Sequence, residues 1–112
     1  MTPIELTKAE FIQRVGNFEE NPQDWKYVGD KPCIVDFHAP WCGYCKKQED
    51  ELKQMDKVWI GQVNTDDNAE LAIRHGVHSF PTFLVFNNGK EVERFSGLRK
   101  KEDLMNILMK YI

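Results

Sequence analysis

The chain has 112 residues, 41% of them hydrophobic and 29% charged, with a formal net charge of −3. That length builds one domain, residues 1–112, around a single core, and the composition is that of an ordinary soluble globular protein. Neither sign of charge runs in a block and no apolar run nears the roughly 20 residues of a bilayer span, which argues against nucleic acid or membrane as the main partner.

Ile4-Glu5-Leu6 reads as a short strand. Thr7-Lys8-Ala9-Glu10 has the capping-box spacing, so a helix is expected there, with Phe11, Ile12 and Val15 inward and Gly16 as its stop. Asn21 to Pro32 is a polar connection whose Trp25, Tyr27 and Val28 predict packing back over the domain. Cys33 to Phe37 is an apolar run of strand length, interrupted by Asp36, as suits a strand covered on both faces. A charged amphipathic helix follows from Tyr44 to about Met55, then a strand over Val58–Val63. Asp66-Asp67-Asn68 offers a cap for a short helix from Ala69 to His75, closed by Gly76. Thr82–Phe86 is another apolar strand. Asn87-Asn88-Gly89-Lys90 is a hairpin signal, and Glu91–Phe95 alternates as an edge strand does. Lys101 to Tyr111 predicts a last helix with Leu104, Ile107, Leu108 and Tyr111 inward. Strand–helix alternation predicts parallel pairing in the first part, and the hairpin predicts antiparallel pairing in the second.

Cys42 and Cys45 stand three positions apart where the helix from Tyr44 should begin. The first N–H groups of a helix lack intrahelical partners, and the peptide dipoles add partial positive charge there. That setting favours a thiolate over a thiol of ordinary pKa, about 8.5. Cys42, at the helix start, is expected to be the more exposed, attacking thiol. Cys45, one turn further in, is placed to resolve a mixed disulfide. Half of a zinc site is the alternative, with Cys33, His38, His75 and His78 as further ligands, but a second CxxC is missing. Three cysteines are too few for a disulfide scaffold, and Cys33 is most simply a small buried hydrophobe. Asp36 reads equally well as a buried acid of raised pKa that accepts the Cys45 proton and as a surface-facing acid on a half-exposed strand. Trp41 and Tyr44 flank the thiols and offer an apolar landing site for a protein partner, or simple surface packing.

Trp41-Cys42-Gly43-Tyr44-Cys45-Lys46, preceded by Val35-Asp36-Phe37, resembles the active-site stretch of the thioredoxin family. The element order resembles the family's over essentially the whole chain. It implies an α/β thioredoxin fold with a central mixed sheet of four to five strands and helices on both faces. In that resemblance Asp36 matches the family's buried acid, six positions before the first cysteine. Phe80-Pro81-Thr82 matches the cis-proline loop that lines the substrate groove, and Ser96-Gly97-Leu98 matches a second groove loop. The implied activity is protein thiol–disulfide exchange by a monomer, with protein disulfides as substrates. No metal or organic cofactor is implied, because the electrons reside in the two sulfurs. A reductase or a membrane thiol carrier would reset the pair. Disulfide reduction is the expected direction; a more oxidising oxidase or isomerase, and a binding module without activity, are the alternatives.

Three positions depart from the family pattern. Gly43-Tyr44 replaces Gly-Pro between the cysteines, His38 stands where tryptophan is usual, and Gln62 replaces a lysine beside the buried acid. Met1-Thr2-Pro3-Ile4-Glu5 has neither the basic nor the apolar region of a secretory signal. The expectation is a cytoplasmic protein if Met1 is the native start, with a periplasmic one left open for a chain trimmed to its mature form.

Overall fold

The computed structural model describes residues 3–55 and 59–112. Along the chain lie β1 (Ile4–Glu5), α1 (Lys8–Arg14), β2 (Cys33–His38), α2 (Gly43–Leu52), β3 (Trp59–Asn64), α3 (Ala69–Arg74), β4 (Thr82–Asn87), β5 (Lys90–Ser96) and α4 (Lys101–Met109). Types and order are those expected from the sequence. Val58, expected to open the third strand, lies outside the described residues.

Local chemistry accounts for most boundaries. Thr7 accepts from the Glu10 backbone N–H at 3.2 Å while the Glu10 carboxylate accepts from the Thr7 N–H at 3.3 Å, closing the capping box at α1. Asn88 and Gly89 both take positive φ, 50° and 82°, as a tight hairpin between β4 and β5 requires. The cap expected at α3 differs. Asn68 holds the cap position, but its side chain donates to the Asn64 carbonyl at 3.2 Å and caps nothing. Held by its Nδ2 to the carbonyl one turn earlier, the side chain does not bring its Oδ1 to a helix N–H.

The five strands form one mixed sheet in the order β1-β3-β2-β4-β5. β1 and β2 run parallel to β3, while β4 runs antiparallel to both β2 and β5. Successive strand residues face opposite ways, and the core divides accordingly. On one face Cys33, Val35, Phe37, Leu84 and Phe86 pack against Phe11 of α1 and Leu71 of α3. On the other, Ile34, Phe83 and Val85 pack against Leu52 of α2 and Leu104 and Leu108 of α4. Burying each such side chain contributes about 2 kcal/mol. The connection between α1 and β2 closes over the first face: Trp25 packs edge-on to Phe11, with ring centroids 6.4 Å apart, and Tyr27 donates to the Lys31 carbonyl at 2.7 Å. Val28 in that connection stays exposed.

Candidate active site

β2, the central strand, ends at His38 and the chain turns through Ala39-Pro40-Trp41 into α2. Cys42 is the N-cap of that helix. Its sulfur accepts the Cys45 backbone N–H at 3.1 Å, one of the donors a helix start leaves free. The Sγ atoms of Cys42 and Cys45 lie at disulfide-bonding distance, with Cα atoms 5.2 Å apart. The expected contrast in exposure is small: Cys42 is 6% accessible and Cys45 4%, because Ala39 and Phe80 pack around both. The Cys42 sulfur lies 3.7 Å from the Phe80 carbonyl oxygen, to which its thiol can donate in the dithiol form.

Asp36 is fully buried in the centre of β2, not surface-facing. It pairs in register with Gln62 on β3 and Phe83 on β4, and shares the α2 side of the sheet with Ile34 and Phe83. Gln62 Nε2 donates to Asp36 Oδ2 at 3.2 Å, and Oδ1 has no partner. Burial pushes the carboxyl up to about 7, opposed by the Gln62 hydrogen bond and by His38. His38 is half-buried at the end of β2, 3.3 Å from Glu5 Oε1, and that pairing raises its pKa. A cavity of about 310 Å³, lined by His38, Ala39, Cys45, Glu49 and Asn64 among others, opens beside the second cysteine.

The remaining expected residues gather around the sulfurs. Trp41 and Tyr44 are 69% and 63% exposed, a large apolar area left in water. Trp41 is not loose: its Nε1 donates to Asp66 Oδ1 at 3.2 Å, and its ring meets Phe80 edge-on at 5.6 Å. The Phe80–Pro81 peptide is cis. Gly97, at φ 91°, donates its N–H to the Pro81 carbonyl at 3.0 Å, and a Cβ there would meet no atom within 4 Å, so one side of this turn is open. All eight candidate positions except Asp36 thus flank one surface, with Asp36 beneath it.

Gln48 was not singled out in the sequence. It is fully buried on α2, where its Nε2 donates to the Arg99 carbonyl at 2.8 Å and its Oε1 accepts the Arg99 N–H at 2.6 Å. The Lys101 N–H donates to Glu51 at 2.7 Å alongside. The two contacts clamp α2 to the loop that carries Gly97. The spacing of Cys45, Gln48 and Leu52 along one helix face was the available signal. The zinc alternative is not assembled. Cys33 is buried in the other face's core with its thiol pushed up to about 12, and among the described residues no group of three or more His, Cys, Asp or Glu is placed to hold an ion.

Two sulfurs bonded across the first turn of a helix, which follows a strand that buries an acid of near-neutral pKa, define the chemistry of a thiol–disulfide oxidoreductase. The comparisons with known proteins agree. The family model Thioredoxin matches residues 4–110, and the chain belongs to the thioredoxin family. It is 32% identical to the thioredoxin of Porphyra purpurea, over 100% of this chain and 99% of that one. It is 38% identical to the thioredoxin of Griffithsia pacifica, over 73% of this chain and 80% of that one. Against the mitochondrial thioredoxin of Mus musculus it is also 38% identical, and the match spans 86% of this chain but 62% of the mouse protein. The crystal structure of Fasciola hepatica thioredoxin superposes with a TM-score of 0.74 at 28% identity, covering 97% of this chain and 99% of that one. Among the described residues no helix is long and apolar enough to cross a membrane.

Proposed function

We propose that this chain, as a single-domain monomer, reduces protein disulfides through Cys42 and Cys45. The observation that carries the reading is the Cys42 sulfur at the helix cap, taking the Cys45 N–H while within bonding distance of the Cys45 sulfur. In the dithiol form that N–H and the helix dipole favour the Cys42 thiolate. The thiolate attacks one sulfur of the substrate disulfide; the other leaves as a thiolate, and a mixed disulfide forms. Cys45 then gives its proton to the Asp36 carboxylate and attacks the Cys42 sulfur. The mixed disulfide breaks, the Cys42–Cys45 bond forms, and the substrate leaves with both electrons.

Trp41, Tyr44 and Phe80 supply apolar area for docking, and Pro81 and Gly97 border an open edge for a substrate backbone. A reductase that returns two electrons completes the cycle, and a cytoplasmic setting with reduced thiol pools suits this direction. Cys42→Ser should reduce insulin disulfides no faster than the uncatalysed background, with an unchanged circular dichroism spectrum. Retained activity in that variant overturns the reading.

A further inference from the structure

Four polar side chains form a continuous row on the α2 side of the sheet. Glu5 of β1 is in register with Gln62 of β3, and Gln62 with Asp36 of β2. Residues in register share a face, and His38, two residues beyond Asp36, shares it too. The row is closed by two contacts, Gln62 to Asp36 at 3.2 Å and His38 to Glu5 at 3.3 Å. Exposure rises along it. Asp36 is sealed, the His38 side chain is 19% accessible and the Glu5 side chain 54%.

The charges around this row are unbalanced. Glu5 from β1, Asp36 from β2 and Glu49 from α2 all bear on His38 as anions. Lys46 of α2 lines the same cavity, and Asn64 of β3 contributes a neutral amide. Asp36 meets the anions Glu5 and Glu49 and the neutral Gln62; the cation acting on it is His38. A carboxylate that must ionise in this setting depends on that one titratable cation.

We propose that His38, held by Glu5, is a positioning residue for thiol exchange, whose protonated ring keeps Asp36 ionised and so ready to take the Cys45 proton. The inference rests on the base role of Asp36. It makes the exchange respond to two coupled titratable groups, where a lysine would present a fixed charge. The sign follows from the charges. Loss of the imidazolium disfavours the carboxylate, so Asp36 ionises at higher pH. Removal of the Glu5 charge lowers the pH at which His38 titrates.

The test is a ¹³C NMR titration of the Asp36 carboxyl carbon in the reduced protein, together with the pH profile of single-turnover insulin reduction. In native protein the Asp36 curve should carry a second inflection from His38. In His38→Asn that inflection should vanish, the Asp36 midpoint should rise by about 0.5–1 pH unit, and the rate profile should move with it. His38→Lys should restore a low midpoint with no second inflection. Glu5→Gln, a change at a half-exposed edge position, should move the second inflection to lower pH with the fold intact. An Asp36 curve unchanged by His38→Asn and Glu5→Gln overturns the inference and leaves the base role of Asp36 standing. A curve that shifts while the rate profile stays fixed overturns both.

Discussion

Among the described residues the two faces of the sheet each bury one ionisable side chain with an unpartnered atom, and they treat it in opposite ways. Asp36 sits on the α2 side, tied to Gln62 and joined through the polar row to the half-exposed Glu5. His75 sits on the α1–α3 side among Phe11, Phe18, Trp25 and Phe37, its Nε2 without a partner. Burial disfavours the charged form of each. It pushes the acid up to about 7 and the base down to about 4. One group is thereby poised to change state near neutrality, on the strand that leads to the cysteine pair. The other is locked neutral inside an aromatic box and serves packing. The two differ in their surroundings: a polar row leads from the acid to the surface, and aromatic rings enclose the base.

The largest effect that sharpens this contrast is expected at Asp36. Its folded pKa lies above the unfolded value of about 3.9, so the native state binds the extra proton between those values, and stability falls as pH rises from about 4 to 7. Asp36→Asn should therefore stabilise the protein at pH 8 by about 2–4 kcal/mol in urea unfolding. The same variant should slow resolution near pH 7 more than at high pH, where hydroxide competes as the proton acceptor. A stability gain with an unchanged pH–rate profile would remove Asp36 from the exchange.

On the opposite face the sign reverses. The folded pKa of His75 lies below its unfolded value of about 6.5, so the unfolded chain binds the extra proton, and stability present above pH 6.5 is lost as pH falls toward 4. His75→Phe should flatten that loss, about 3 kcal/mol between pH 7 and 4, and leave exchange rates unchanged. Slower exchange in His75→Phe would break the division between the two faces.

A smaller effect is expected at Gln48. Gln48→Ala removes both hydrogen bonds to Arg99 and should cost about 1–3 kcal/mol, with faster hydrogen exchange at the Arg99 amide. Protection equal to the native protein would mean that the Gly97 loop is held by other contacts.

What the sequence made legible was local. The capping box at Thr7, the Asn88-Gly89 turn and the alternation in β5 each depend on neighbours a few residues away, and each element stands where it was expected. The spacing of Cys42 and Cys45 likewise carried their geometry. Long-range partners were not legible. His38 meets Glu5 from 33 positions away and Gln48 meets Arg99 from 51. His75 draws its aromatic neighbours from α1, the connection that follows it, and β2, a convergence that no local pattern encodes. Whether Asp36 was buried also depended on α2 lying over it, which the strand's own residues left open.

The central claim is that Cys42 attacks and Cys45 resolves. Its most direct test is mass spectrometry of Cys45→Ser, first reduced and freed of reductant, then mixed with insulin. The account predicts a stable covalent adduct through Cys42, released by dithiothreitol and missing from Cys42→Ser. An adduct through Cys33, or none at all, would contradict it.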